Sequence, residues 1–210
     1  MSTPPYVPGH GLLRDRNVVI TAAAGSGIGF AAARRCAEEG ASVLISDIHP
    51  RRLAAAAEKI SEITGKPCSS VLCDVTVEAD IQNLFKTATD VFGHVDVLIN
   101  NAGLGGETPL VEMTDSQWDR VIDISLTGTM RCMRAALRHM MPRNSGVIIN
   151  NASVLGWRAQ AGQSHYAAAK AGVMALTRCA AIEAAPANVR INAVAPSLAM
   201  HPFLHKVTSP

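Results

Sequence analysis

The chain has 210 residues, 48% apolar and 17% charged, with a formal net charge of +2. Such a chain is long enough for one domain with a substantial core, and too apolar for intrinsic disorder. No charge block points to a nucleic-acid partner, and the first 11 residues hold no apolar stretch of signal-peptide or membrane-span length.

Residues 1–11, with three prolines, read as a flexible arm ahead of a single domain over 12–210. A β-branched run at 17–21 predicts the first strand, and a helical pattern follows at 27–39. The alternation then repeats, with strands expected at 42–46, 69–73, 95–99, 146–150 and 190–194. Helical patterns lie between them at 51–64, 78–92, 115–141 and 164–184. This order implies an α/β fold, a Rossmann-like doubly wound parallel sheet of six strands with helices on both faces. Gly40, Gly65 and Gly93 each follow a helical pattern, where a left-handed cap needs the missing side chain. The stretch 115–141 reads as one helix or two, because Thr127-Gly128-Thr129 is a poor helix interior; Thr114 is a fitting N-cap for its start. Cys36, Cys68, Cys73, Cys132 and Cys179 are odd in number, scattered and free of any CxxC pair. They read as reduced, mostly buried thiols of a cytoplasmic protein, with no metal site.

Between the first strand and first helix stands Thr21-Ala22-Ala23-Ala24-Gly25-Ser26-Gly27-Ile28-Gly29. Small residues let a backbone approach a pyrophosphate, whose charge the N–H groups at the helix start can meet. A tight turn that binds nothing is the competing reading, and it weakens because Asp47 ends the next strand. A carboxylate there accepts hydrogen bonds from an adenosine ribose and repels a 2′-phosphate, so NAD is favoured over NADP. Arg51 and Arg52, close by, work against that discrimination.

Tyr166 and Lys170 stand four residues apart, as neighbours on one helix face. An ammonium so placed is expected to favour the tyrosinate, making the phenol a proton exchanger near neutral pH. Ser153 lies thirteen residues upstream of Tyr166.

Taken together, residues 17–196 resemble the short-chain dehydrogenase/reductase family. The markers are the glycine-rich turn, Cys73-Asp74-Val75, Asn100-Asn101-Ala102-Gly103, and Ser153, Tyr166 and Lys170 in order. The resemblance implies a cofactor across the carboxyl ends of the strands, touched by Gly25, Ser26, Gly27, Ile28, Gly29, Asp47, Asp74, Val75, Asn101, Ala102, Gly103, Tyr166, Lys170 and Pro196. It implies that Tyr166 passes a proton to or from the substrate oxygen as hydride moves between nicotinamide and carbon. Lys170 would lower the phenol's pKa and hold the nicotinamide ribose, while Ser153 would hydrogen-bond the substrate oxygen.

Three features depart from the family pattern. The turn is one residue longer than usual, and Ala22 stands where the first glycine is expected; alanine disfavours positive φ, so the loop is expected to take another path. Ser125 replaces an asparagine that helps hold a proton-relay water, and stays a candidate site residue. A Pro-Gly turn after the sixth strand reads Pro196-Ser197, with His201 near a position that often holds a cofactor-facing threonine, inside a segment 196–204 that would border the nicotinamide. Relatives usually continue beyond residue 210 through a substrate-covering helix and a seventh strand.

Leu104-Gly105-Gly106 and residues 154–160 should line the substrate mouth. Leu155 and Trp157 suit an apolar substrate, and Arg158 or His165 suits a carboxylate or a CoA-type anion. The run 150–160, with Ala22 to Ala24 and Ser125, resembles actinobacterial family members placed in steroid-ring breakdown. The implied activity interconverts a secondary alcohol and a ketone on an alicyclic or steroid-derived acid or CoA thioester. One alternative is a 3-oxoacyl thioester reductase of fatty-acid metabolism; another is an NAD(H)-binding sensor or scaffold without turnover. Apolar residues at Met130, Met133, Leu137, Met140, Val173, Leu176 and Ile182 exceed one core face, and the resemblance implies a homotetramer or homodimer through these helices.

Overall fold

A computed structural model describes residues 5–199, so His201 and the end of the segment 196–204 lie outside the described residues. Strand and helix alternate through β1 (Asn17–Ile20), α1 (Ile28–Glu38), β2 (Ser42–Asp47), α2 (Pro50–Thr64), β3 (Ser69–Leu72), α3 (Glu78–Phe92), β4 (Val97–Asn100), α4 (Asp115–Ile122), α5 (Gly128–Met140), β5 (Gly146–Asn151), α6 (Ser164–Ala184) and β6 (Val189–Val194). Every strand pairing is parallel, in the order β3-β2-β1-β4-β5-β6. The chain winds outward from β1 to β3, then returns to lay β4 on the other side of β1. That reversal opens a crevice at the carboxyl ends of β1 and β4.

Side chains of alternate residues along each strand feed opposite faces. Val18, Ile20, Val43 and Ile45 pack with Ala33, Leu53 and Ile60 of α1 and α2. Val19, Leu44, Leu98, Ile148 and Ile191 pack with Ile81, Met133 and Ala180 of α3, α5 and α6. Both faces are therefore covered, as a parallel sheet requires.

Local chemistry sets the helix ends. Pro50 sits in the first turn of α2, and Gly65 closes that helix at φ 67°. Thr114 and Gln117 form a reciprocal capping box at the start of α4. The stretch expected as one helix or two is α4 and α5 joined by a π-turn over Asp123–Thr127. Gly128 is needed at that junction, because a side chain there would come within 2.7 Å of Val75 Cγ2.

Within the arm expected to be loose over 1–11, Tyr6 and His10 are tethered to the end of α1, as is Leu12 just after it. The Tyr6 hydroxyl donates to Glu38, and the backbone N–H groups of His10 and Leu12 donate to Glu39 Oε2 at 2.8 and 3.0 Å. Among the described residues no helix is long and apolar enough to cross a membrane.

Candidate active site

The turn after β1 keeps the left-handed conformation at Ala22, with φ 51°, where the sequence predicted a different path. Its backbone is anchored on both sides: Ala23 N–H donates to Ser46 O at 3.0 Å, and Asn101 Nδ2 donates to Ala22 O at 2.9 Å. Gly29 is required by close approach, since a side chain there would lie 2.4 Å from Asn101 Nδ2 and 2.5 Å from Ala22 O. Gly25, Ser26 and Gly27 are exposed, and open space lies above both glycines. Helix α1 begins at Ile28 with no side-chain cap and no acid in its first turn. Unpaired N–H groups with no competing carboxylate fit an anion such as a pyrophosphate.

Beside this turn lies a cleft of about 630 Å³, lined by Asp47, Asp74, Val75, Ala102 and Gly103, with Ile48, Arg52 and Arg120 also on its walls. Asp47 ends β2, almost buried, and its carboxylate accepts from Ala24 N–H at 3.3 Å and His49 N–H at 3.0 Å. Burial pushes its pKa up, against the pull of the Ala24 bond and of Arg52. Asp74 accepts from Thr76 at 2.9 Å through N–H and 2.7 Å through the hydroxyl, which sets the turn after β3.

Across the crevice, Ser153 follows β5, while Tyr166 and Lys170 project from the first two turns of α6. Ser153 Oγ accepts from Leu155 N–H at 3.2 Å. Lys170 is 3% exposed, and its Nζ donates to Asn151 O at 2.6 Å and lies 5.5 Å from the Tyr166 ring centre. Desolvation pulls the Lys170 ammonium down to about 8. Burial pushes the Tyr166 phenol above its ordinary value, and hydrogen bonding toward Ser153 offsets part of that rise. In the chain alone the direction is opposite to the one expected of the Tyr166–Lys170 pair: loss of water sets the shift of the phenol, and the Lys170 ammonium donates its hydrogen bond to the Asn151 carbonyl.

A family model described as short chain dehydrogenase matches residues 16–209. The chain belongs to the short-chain dehydrogenase family. It is 58% identical over 98% of its length to the (5R,7aS)-5-hydroxy-7a-methyl-1-oxo-2,3,5,6,7,7a-hexahydro-1H-indene-carboxyl-CoA reductase of Mycobacterium tuberculosis, covering 79% of that protein. It is 44% identical to the cis-4-hydroxycyclohexanecarboxylate dehydrogenase of Sinomonas cyclohexanicum, over 90% of this chain and 76% of that one. The crystal structure of a short chain dehydrogenase from Mycobacterium smegmatis superposes with a TM-score of 0.91 at 54% identity, over 95% of this chain and 83% of that chain. As a short-chain dehydrogenase the protein is an oxidoreductase that uses a nicotinamide cofactor on a CH–OH or carbonyl centre of a small molecule.

Within this short-chain dehydrogenase, several expected site residues serve to hold or make room for others. Asn101 bridges strands: it donates to Ala22 O and accepts from Asn151 Nδ2 at 2.9 Å. Ser125 is fully buried in the π-turn, accepting from Leu104 N–H at 2.9 Å and donating to Leu104 O at 3.0 Å. Its single hydroxyl is consumed on the loop beside Tyr166. Gly103 leaves room for Lys170, because a side chain there would approach Nζ to 3.2 Å. Pro196 O accepts from Val154 N–H at 3.0 Å, fixing the start of the 3-10 turn after Ser153. His165, a candidate for meeting an anion, is buried with Nε2 under Gly106, so Arg158, which is exposed, is the reachable cation of the two. Sequence reasoning missed Thr21 as an anchor: its Oγ1 accepts from the N–H groups of Asn101 and Ala102 at 3.0 and 3.1 Å. It missed Asn151 and Arg120 as well. Nothing local marks them, since the partners of Thr21 and Asn151 lie on the distant Asn101 and Ala102, and Arg120 reaches the cleft wall from α4.

Proposed function

We propose that this enzyme interconverts a secondary alcohol and a ketone on an alicyclic acid or its CoA thioester, with NAD preferred over NADP. The reading is carried by Ser153, Tyr166 and Lys170 converging beside a cleft whose far wall ends in Asp47. Asp47, at the end of β2, supports the NAD preference, because a carboxylate repels a 2′-phosphate. Bound there, the dinucleotide supplies the carbon that exchanges hydride. Tyr166 holds the proton that the substrate oxygen gains in reduction and loses in oxidation. Ser153 orients that oxygen, and Lys170 supplies the positive charge that lowers the cost of the tyrosinate once a ligand excludes water. The intact set favours turnover over bare cofactor sensing.

Support for the substrate class comes from the two relatives, one named for a hydroxy-oxo-indene carboxyl-CoA and the other for a hydroxycyclohexanecarboxylate. Trp157, 68% exposed, and Arg158 offer an apolar surface and a cation next to Ser153. Assembly as a homotetramer or homodimer suits the groove of about 400 Å³ between α5 and α6, bordered by Met130, Leu137, Leu176 and Cys179. Ile182, 77% exposed, adds apolar surface on another side of α6. Five free thiols fit a cytoplasmic setting. The deciding assay compares bicyclic hydroxy acids and their CoA thioesters with NAD against linear 3-oxoacyl thioesters with NADPH. We expect kcat/KM at least about tenfold higher for the ring substrates, the discrimination of one well-filled pocket. Preference for the linear thioesters with NADPH would replace this reading with the fatty-acid reductase.

A further inference from the structure

We propose that Asn151 is a positioning residue for the cofactor turn: its side-chain amide fixes Asn101, and Asn101 holds Ala22 in the left-handed conformation. Alanine at φ 51° has no intrinsic reason to stay there. The side chain disfavours that conformation by about tenfold relative to glycine, so the surrounding structure must impose it. The imposing contact is the bond from Asn101 Nδ2 to Ala22 O at 2.9 Å, sealed beneath Gly29 of α1.

An asparagine amide has one donor end and one acceptor end. With the NH₂ of Asn101 committed to Ala22 O, its oxygen points away and needs a donor. Asn151 supplies one from β5, with Nδ2 2.9 Å from Asn101 Oδ1. The Asn151 oxygen is itself buried without a partner, so the residue serves here through its N–H alone. Its backbone carbonyl accepts from Lys170 Nζ at 2.6 Å. One residue thus stands between the catalytic ammonium and the turn that meets the pyrophosphate, through the path Asn151 to Asn101 to Ala22.

Loss of the Asn151 donor frees the Asn101 amide to rotate and lets Ala22 relax. Apparent cofactor affinity then falls with the fraction of chains that keep the competent turn. The test is a fluorescence titration with NADH and NADPH, using whichever binds more tightly, on Asn151→Leu and Asn151→Asp. Each is measured in the native background and in Ala22→Gly, where glycine needs no tether. We expect about tenfold weaker binding in the native background and less than about twofold in Ala22→Gly. Equal losses in the two backgrounds, or no loss in either, would overturn the proposal. Asn151→Asp keeps the size and presents only acceptors toward Asn101, so it carries the test should Asn151→Leu fail to fold. No alcohol or ketone is needed, so the outcome is separate from the choice of substrate.

Discussion

Between the turn after β1 and the segment from Ser153 through α6, the contrast lies in which atoms face a ligand. The turn offers backbone N–H groups at the start of α1 and open space over Gly25 and Gly27. The opposite wall offers three side-chain groups, Ser153, Tyr166 and Lys170, all at least partly buried. A backbone site tolerates a longer loop and an alanine for a glycine if the fold can hold the conformation. A proton-handling site has no such latitude, because its function is the chemistry of particular atoms.

The sharpest test of that contrast is Tyr166→Phe. Ring and packing remain, so turnover should fall by about 10³-fold, in the range of lost general acid–base catalysis. Cofactor binding, measured by NADH fluorescence, should stay nearly unchanged. Turnover that survived would remove Tyr166 from its assigned role and leave both walls equally tolerant.

A second test concerns the buried ammonium. A lysine whose folded pKa lies below its unfolded value carries fewer protons folded than unfolded between the two. Its contribution to stability is therefore complete above pH 10.5 and lost as pH falls through about 8. Against Lys170→Met, unfolding in urea should show the native chain gaining about 2 kcal/mol in relative stability between about pH 7.5 and about pH 9.5. Parallel curves for the two chains would mean that the ammonium is not desolvated.

The smallest effect is expected on the tolerant wall. Asp47→Ala should relax selection of NAD over NADP by about tenfold, the worth of one lost hydrogen-bonding and repulsive contact. Measured dissociation constants with an unchanged ratio would retire the carboxylate as the selector.

Much of the frame was legible in residue order. Each expected strand appears within a few residues of its place, and β4 starts later because Val95 N–H is drawn to His139 Nε2 at 3.0 Å instead of the ladder. The π-turn between α4 and α5 was visible only as a weak helix interior. Its cause lies elsewhere, in Ser125 gripping Leu104 and in Gly128 making room for Val75. Ala22 was legible as a departure, but the conclusion drawn from it reversed, because propensity yields to a tether from Asn101 that is 79 residues away in sequence.

Sequence alone determined the order of strands and helices, the placing of the glycine-rich turn, and the presence of a serine after the fifth strand with a phenol and an ammonium on the helix that follows. Those features depend on periodicity and on residue types within a few positions of one another. Only the tertiary structure decided that burial raises the Tyr166 phenol, that Lys170 donates a hydrogen bond to the Asn151 carbonyl, and that Asn101 is a strut. Desolvation and hydrogen-bond pairing belong to atoms brought together from different elements, 19 residues apart for Lys170 and Asn151 and 50 or more for the partners of Asn101, and no local pattern records them.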